Sequence, residues 1–331
     1  MFKLLRSPKN PILTPTKNWW ENKAVFNCGV YEYQNSLYLL YRAQGDDEIS
    51  RFGLARMKDY QNVSERNPEP FISPEPSFEY ESAGVEDPRI TKIDNMYYIL
   101  YTSAAREVIL NEIASVSDIQ GWDVRVSIAE TSDFRLFRRR VLILHGKDTK
   151  NAVLFPEKIK GKYTILYRVI PDTSLAESDD LVNFQDRGLL FAPRRNYWDS
   201  LKVGPGAPPI KTPFGWLLFY HGVDENSVYR LGVIVLDEAD PRKILCRSDE
   251  SILGPEKDYE KFGRVNNVVF TCGATEDSQR YYVYYGAADR VICMATVEKK
   301  QVFDWIKSKI SIPSIAVFTF FFFFMIIFFS F

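Results

Sequence analysis

Five times along the chain an aromatic-rich apolar stretch ends in a tyrosine followed by one variable residue: Leu37-Tyr-Leu-Leu-Tyr-Arg42, Tyr97-Tyr-Ile-Leu-Tyr-Thr102, Tyr163-Thr-Ile-Leu-Tyr-Arg168, Trp216-Leu-Leu-Phe-Tyr-His221 and Tyr281-Tyr-Val-Tyr-Tyr-Gly286. The aligned tyrosines, Tyr41, Tyr101, Tyr167, Tyr220 and Tyr285, fall roughly 53 to 66 residues apart. A period of that size signals radial repetition of small antiparallel sheets rather than a wound α/β sheet. The expected fold is therefore all-β, a five-bladed β-propeller.

The surroundings repeat as well. Before each tyrosine strand stands a turn built from residues that tolerate positive φ or tight reversal: Gln34-Asn35, Asp94-Asn95, Lys160-Gly161, Phe214-Gly215 and Glu276-Asp277-Ser278. After it comes another β-type stretch, beginning at Ser50, Val124, Thr173, Tyr229 and Arg290. Adding an outer strand gives about four strands per blade.

The 331 residues, 46% hydrophobic and 15% aromatic, contain no linker before the C-terminal end, so residues 1–307 read as one catalytic-sized domain. A net charge of -1 supplies no field for nucleic acid, and Arg138-Arg139-Arg140 reads as a solvated strand edge. Four cysteines without paired spacing and only two histidines argue against a metal site, so the cysteines read as reduced, buried thiols. The start lacks the pattern of a secretory signal, and a cytoplasmic domain is the expectation.

Residues 308–331 are different. From Ile310 to Phe331 the chain carries no charge and follows Lys307 and Lys309. That run is about long enough to span a bilayer, with the lysines favouring a cytoplasmic domain before it. The competing reading is translated A/T-rich sequence beyond an ancestral stop, with no evolved role.

In a propeller the inner strands converge on a central channel, so residues that break the repeat there are the candidates for chemistry. Directly after the tyrosines stand Arg42, Thr102, Arg168, His221 and Gly286, three of them cationic or able to become so. A second polar ring, Asn27, Asp87 and Asn151, precedes its tyrosines by fourteen to sixteen residues. In Glu86-Asp87-Pro88-Arg89 strand alternation predicts that only one carboxylate faces the cavity, and Pro88 predicts an extended Asp87. A strand-edge salt bridge between Asp87 and Arg89 is the competing expectation.

Val25-Phe-Asn-Cys-Gly29, Leu40-Tyr-Arg-Ala43, Gly84-Val-Glu-Asp-Pro-Arg-Ile90, Leu154-Phe-Pro-Glu-Lys-Ile159, Pro208-Pro-Ile210 with Gly215-Trp-Leu-Leu-Phe-Tyr-His-Gly222, and Tyr284-Tyr-Gly-Ala-Ala-Asp289 together resemble glycoside hydrolase family 130, from about Asn10 to Lys307. The resemblance implies a five-bladed propeller acting on β-mannosides. It implies an inverting phosphorylase releasing α-mannose 1-phosphate in most members and a hydrolase in a minority. It makes Asp87 the proton donor, acting through the mannosyl 3-hydroxyl, and Asn27, Arg42 and Asp289 the sugar-binding residues. Lys150, Asn151, Arg168, Lys202 and His221 match the phosphate-binding region. The implied partners are a β-manno-oligosaccharide and inorganic phosphate as co-substrate, with no cofactor or metal. Cys28 and Cys272 depart from a common proline, and Lys150 stands where some phosphorylases carry Arg. The hydrophobic tail has no counterpart.

Inversion needs an acid on the leaving-group side and a nucleophile on the opposite face of the sugar. Phosphate needs cationic partners and no base, and Arg168, Lys202 and His221 fit that need. Water needs a carboxylate base, for which Glu157 or Glu225 are the candidates of a β-mannosidase reading. A third reading is a catalytically silent sugar-binding propeller, expected if Asp87 turns outward or is capped by Arg89. Trp19 and Trp20 read as packing residues, and Tyr285 and its counterparts as core. Ala104 to Gln120, with Val108, Ile109, Ile113 and Val116 at helical spacing, is a candidate rim or interface element, the latter in a homo-oligomer.

Overall fold

A computed structural model of the chain describes residues 1–75, 77–106, 122–142, 144 and 149–310. The fold is all-β. After a short β1 (Leu5–Arg6), the strands group into five antiparallel units. The first is β2 (Ala24–Tyr33), β3 (Ser36–Gln44), β4 (Ser50–Met57) and β5 (Val63–Arg66); the second is β6 (Gly84–Ile93), β7 (Met96–Arg106), β8 (Trp122–Thr131) and β9 (Arg138–Val141). The third is β10 (Lys150–Leu154), β11 (Tyr163–Val169), β12 (Asp172–Ser178) and β13 (Gln185–Phe191). The fourth is β14 (Lys202–Pro205), β15 (Ile210–Thr212), β16 (Gly215–Val223), β17 (Tyr229–Leu236) and β18 (Ile244–Arg247). The fifth is β19 (Val269–Glu276), β20 (Arg280–Ala287) and β21 (Val291–Glu298), completed by β1, which pairs with β21.

Hydrogen bonding divides these units into four sheets, because a parallel bridge between Ser50 and Gly84 joins the first two. None of the sheets closes on itself. The two-residue turns predicted at Gln34-Asn35 and Asp94-Asn95 connect the pairs Tyr33↔Ser36 and Ile93↔Met96, with φ of 48, 58 and 55 at Gln34, Asn35 and Asp94. In the fourth unit the turn sits one residue earlier than expected, since Gly215 is already paired with Thr212.

Each tyrosine strand is buried on both faces, which is why it reads as an unbroken apolar run. In β16, Leu217 and Phe219 enter one core while Trp216, Leu218 and Tyr220 enter another, the period of two expected of a strand. The core is accordingly split into sectors between units. One lies between the first and second units, others between second and third, third and fourth, and fourth and fifth, and one between the fifth and first through Tyr284, Ile292, Val25 and Tyr41. Helix α1 (Asp258–Lys261) precedes β19, and α2 (Lys299–Lys309) lays Val302, Trp305 and Ile306 on the sector between fourth and fifth units.

The tyrosine side chains cross the neighbouring strand toward the outer edge. Opposite them stand small residues: Gly53, Ser127, Ser174, Gly232 and Cys293. A Cβ at Gly53 would lie 2.2 Å from the Tyr41 ring. The hydroxyls then reach buried carboxylates: Tyr41 donates to Glu21 (2.9 Å), Tyr101 to Glu81 (2.5 Å), Tyr220 to Asp199 (2.8 Å) and Tyr285 to Glu260 (2.8 Å). Each carboxylate also holds an arginine of the outermost strand, Arg66, Arg139, Arg247 or Arg6. In the third unit Tyr167 donates instead to Asp186 of β13 itself (3.0 Å). Arg139 and Arg140, read from sequence as solvated, are thus corrected to partly buried ion-pair members, Arg140 with Glu130.

The four cysteines are buried and unpaired by disulfides, as expected. Among the described residues no helix is long and apolar enough to cross a membrane. The hydrophobic run beyond Ile310 and the segment from 107 to 120 lie outside the described residues.

Candidate active site

In each of the first three units, strand alternation fails at one place in the first strand of the unit. The register of β2 skips between Phe26 and Cys28, of β6 between Glu86 and Arg89, and of β10 between Lys150 and Val153. Within those skips Asn27, Asp87 and Asn151 have φ of 48°, 54° and 55°. Left-handed backbone at three non-glycine residues in equivalent places is strain concentrated where side chains are re-aimed. These are the three members of the polar ring seen in the sequence.

The bulge corrects two expectations about Glu86 and Asp87. Asp87 is left-handed despite Pro88, not extended, and the broken alternation turns both carboxylates onto Arg42. Arg42 Nη2 lies 2.5 Å from Glu86 Oε1 and Nη1 3.3 Å from Asp87 Oδ1, while Asn27 Nδ2 donates to Asp87 Oδ1 at 2.9 Å. Arg89 does not cap the carboxylate. Its Nη1 donates to the Asp87 backbone carbonyl (2.8 Å), Nε to the Gly206 carbonyl (2.8 Å) and Nη2 to Asn151 Oδ1 (3.3 Å), with the guanidinium 5.7 Å from the Phe270 ring centre. At 1% exposure, Arg89 is a buried hub tying the second unit to the third, fourth and fifth.

Burial alone would raise the Asp87 carboxyl, but Arg42, Arg89, the Asn27 hydrogen bond and Lys150 outweigh it and hold it below the ordinary aspartate value. Asp289, on a second left-handed pair with Ala288, goes the other way. Burial, against the pull of Arg42 and with repulsion from Asp87 and Glu86, pushes it up to about 7. Arg42 itself lies 4.7 Å over the Phe26 ring.

The remaining candidates form a second group. Lys150 and Arg168 are direct cross-strand partners of β10 and β11. Asn151 Nδ2 is 3.4 Å from His221 Nε2, and Lys202 begins β14, opposite the strand that carries His221. Burial, reinforced by Arg168, Arg89 and Lys202, drives the imidazole well below its usual value, so His221 is neutral rather than the cation the sequence allowed. Burial likewise lowers the Lys150 ammonium, partly offset by Glu86 and Asp87.

Two glycines make this crowding feasible. A Cβ at Gly204 would sit 2.6 Å from His221 Cε1 and 3.2 Å from Asn151 Nδ2, and one at Gly286 would sit 2.2 Å from Asn27 Oδ1. Gly286, the least informative member of the variable ring by sequence, is therefore the space for Asn27. Asn27 Oδ1, Thr102 Oγ1 and His221 Nδ1 are buried with no hydrogen-bond partner among the described residues, which marks them as groups available to a polar ligand.

All nine sequence candidates thus gather in two groups, those expected at the sugar around Arg42 and those expected at phosphate around His221. A cavity of about 660 Å³ opens over Phe26, Arg42, Glu86, Lys150 and Asp289. The base candidates of a hydrolase lie elsewhere: Glu157 pairs with Lys211 at 2.8 Å on the surface, and Glu225 is exposed in the turn after β16. Sequence reasoning missed Glu86 as a partner of Arg42 and Arg89 as a hub, because a bulge cannot be read from an apolar-polar pattern. Among the described residues no three His, Cys, Asp or Glu side chains gather as a metal would need.

The model of a family described as beta-1,4-mannooligosaccharide phosphorylase matches residues 4–308. A 1,2-beta-oligomannan phosphorylase of Thermoanaerobacter sp. (strain X514) is 42% identical over 311 residues, covering 91% of this chain and 99% of that protein. A beta-1,2-mannobiose phosphorylase of the same organism is also 42% identical, over 317 residues, with the same coverage. Among solved structures, the beta-1,2-mannobiose phosphorylase of Listeria innocua in complex with beta-1,2-mannobiose superposes with a TM-score of 0.79 at 28% identity, covering 92% of this chain and 99% of that one.

Proposed function

Because this chain belongs to glycoside hydrolase family 130, we propose that it is an inverting phosphorylase of β-mannosides, β-1,2-linked by the likeness to its 42% identical relatives. We infer with it that the five units are the blades of a propeller. Support comes from the core sectors, which run from unit to unit and back from the fifth to the first, and from β1, which completes the last unit.

In this reading Asn27, Arg42 and Asp289 hold the mannosyl unit, and Asp87 supplies the proton that reaches the glycosidic oxygen by way of the sugar 3-hydroxyl. Phosphate, held by Lys150, Asn151, Arg168, Lys202 and the neutral donor His221, attacks the anomeric carbon from the opposite face. The bond to the leaving sugar breaks as the bond to phosphate forms, giving α-mannose 1-phosphate. An acid must carry a proton, and in the free chain cations hold Asp87 ionised. An arriving phosphate offsets those cations and adds negative charge nearby, both of which raise Asp87. The nucleophile thereby readies the acid.

One observation supports the choice of phosphate over water: Lys150 and Arg168 are paired, and Arg168 and Lys202 act on His221, while Glu157 and Glu225 are exposed on the surface. The test is incubation with β-mannobiose with and without phosphate. Mannose 1-phosphate formed only with phosphate, and lost in Asp87→Asn, supports the reading. Free mannose at the same rate without phosphate turns it to a hydrolase.

A further inference from the structure

The cavity extends past every residue used above. Its outer wall is made by the 45–49 loop between β3 and β4 and by Arg264 and Val265 ahead of β19, and Arg168, Lys202 and His221 are not part of its lining. Of the residues expected at phosphate only Lys150 lines the cavity, so in the phosphorylase reading the outer wall is taken as the side of the leaving sugar. There the first and fifth units meet, and Arg264 Nη2 reaches Glu48 Oε1 across the seam at 3.4 Å.

This rim is rigid. Glu48 holds a left-handed backbone, φ 58°, which persists only where surroundings enforce it. Gln44 Nε2 donates to the Glu48 carbonyl (3.2 Å) and to Ser50 Oγ (2.9 Å), and Arg42 Nε donates to the same Ser50 Oγ (2.9 Å). A short polar chain thus connects rim to floor. In the same loop Asp47 binds two nitrogens of Arg51 at 3.1 and 2.7 Å, and the Arg51 guanidinium lies 4.7 Å from the centre of the Trp19 ring. Trp19 is 55% exposed over an Arg51 that is 8% exposed, so one indole face is fixed and the other is open. Trp20, by contrast, is fully buried on Tyr41, in line with the packing reading, which Trp19 does not fit.

We propose that this rim is a further sugar subsite that receives a third mannosyl unit, with the open face of Trp19 stacking on the ring and Glu48 and Arg264 taking its hydroxyls. A sugar offers an apolar C–H face to an aromatic ring and paired hydroxyls to planar carboxylate and guanidinium groups. A subsite already ordered loses little freedom on binding. The chain is then built for oligosaccharides over disaccharides. The assignment rests on the phosphorylase reading for its direction.

The experiment compares kcat/KM for phosphorolysis of mannobiose and mannotriose by the full chain, in both β-1,2 and β-1,4 series. The trisaccharide is expected to be used roughly tenfold better, an advantage that shrinks in Trp19→Ala, returns in part in Trp19→Phe and shrinks in Glu48→Gln. Equal use of the two sugars, or an advantage untouched by Trp19→Ala, overturns the subsite while leaving the reaction intact. If neither sugar yields mannose 1-phosphate the phosphorylase reading fails, and calorimetric titration of the same two sugars without phosphate judges the subsite by itself. Tighter trisaccharide binding that Trp19→Ala weakens upholds it, and equal affinities overturn it.

Discussion

The hydroxyls of Tyr41, Tyr101, Tyr220 and Tyr285 end on one kind of partner, a buried carboxylate held by an arginine of the outermost strand, whereas the residues after them, Arg42, Thr102, His221 and Gly286, meet four different surroundings. Neighbouring residues on a strand face opposite ways, so one repeat can serve two purposes. Its outward partner fastens strands together and is of one kind in four of the five units. Its inward partner differs because a sugar and an anion are not five-fold symmetric. Repetition here marks scaffold, and departure from it marks chemistry.

The sharpest way to break that division is to alter one member of each kind. Asp87→Asn is expected to cost about 10²- to 10⁴-fold in mannose 1-phosphate formation, the range of a lost general acid, with the thermal midpoint nearly unchanged. Asp199→Ala is expected to do the reverse. It strands Arg247 and Arg194, both held by a carboxylate of 0% exposure, and a broken buried pair costs about 3–5 kcal/mol, read as a lower denaturant midpoint. Activity of the molecules still folded should stay near wild type. A large loss of turnover in folded Asp199→Ala would end the division between scaffold and site.

Most of the scaffold was legible, because Tyr strands buried on both faces leave an apolar run that recurs, and two-residue turns leave Asn and Gly behind. The carboxylate partners were not. They stand 20, 20, 21 and 25 residues before their tyrosines, close enough to a fixed offset to find in hindsight, but acids in turns and short helical pieces carry no pattern of their own. At the site, the residue types and their convergence came through resemblance to a family. The bulges that turn Glu86 and Asp87 to the same side did not, since alternation is the very rule that a bulge suspends.

Within the inner ring the comparison can be refined. Arg168→Lys keeps the charge but loses the planar fork, so the KM for phosphate should rise about tenfold, the loss of one charge-assisted hydrogen bond, while the KM for sugar changes little. If both rise together, Arg168 belongs with the sugar set. The pH profile separates the two sets again. Phosphate near Lys150 raises Asp87 from its depressed value, so the descending limb of the rate should move to higher pH as phosphate is raised to saturation, and a limb indifferent to phosphate would uncouple nucleophile from acid.

The smallest effect concerns Asp289. Its folded carboxyl sits near 7 against an ordinary 3.8, so the native state binds a proton more tightly than the unfolded chain does. The stability this lends is fully present below about pH 4 and is lost as pH rises through about 7, the window set by the two values. Asp87 works in the opposite direction, its depressed carboxyl adding stability above its unfolded value that is lost in acid. Asp289→Asn should therefore flatten the decline in denaturant midpoint between pH 4 and pH 7 that wild type shows. The same asparagine in place of Asp87 should only shrink that decline, because it removes one of the two carboxylates that repel Asp289 and leaves its burial intact. An Asp289→Asn curve parallel to wild type across that window would mean that the carboxyl is ionised in the folded chain, and that Arg42 serves Asp289 as closely as it serves Glu86 and Asp87.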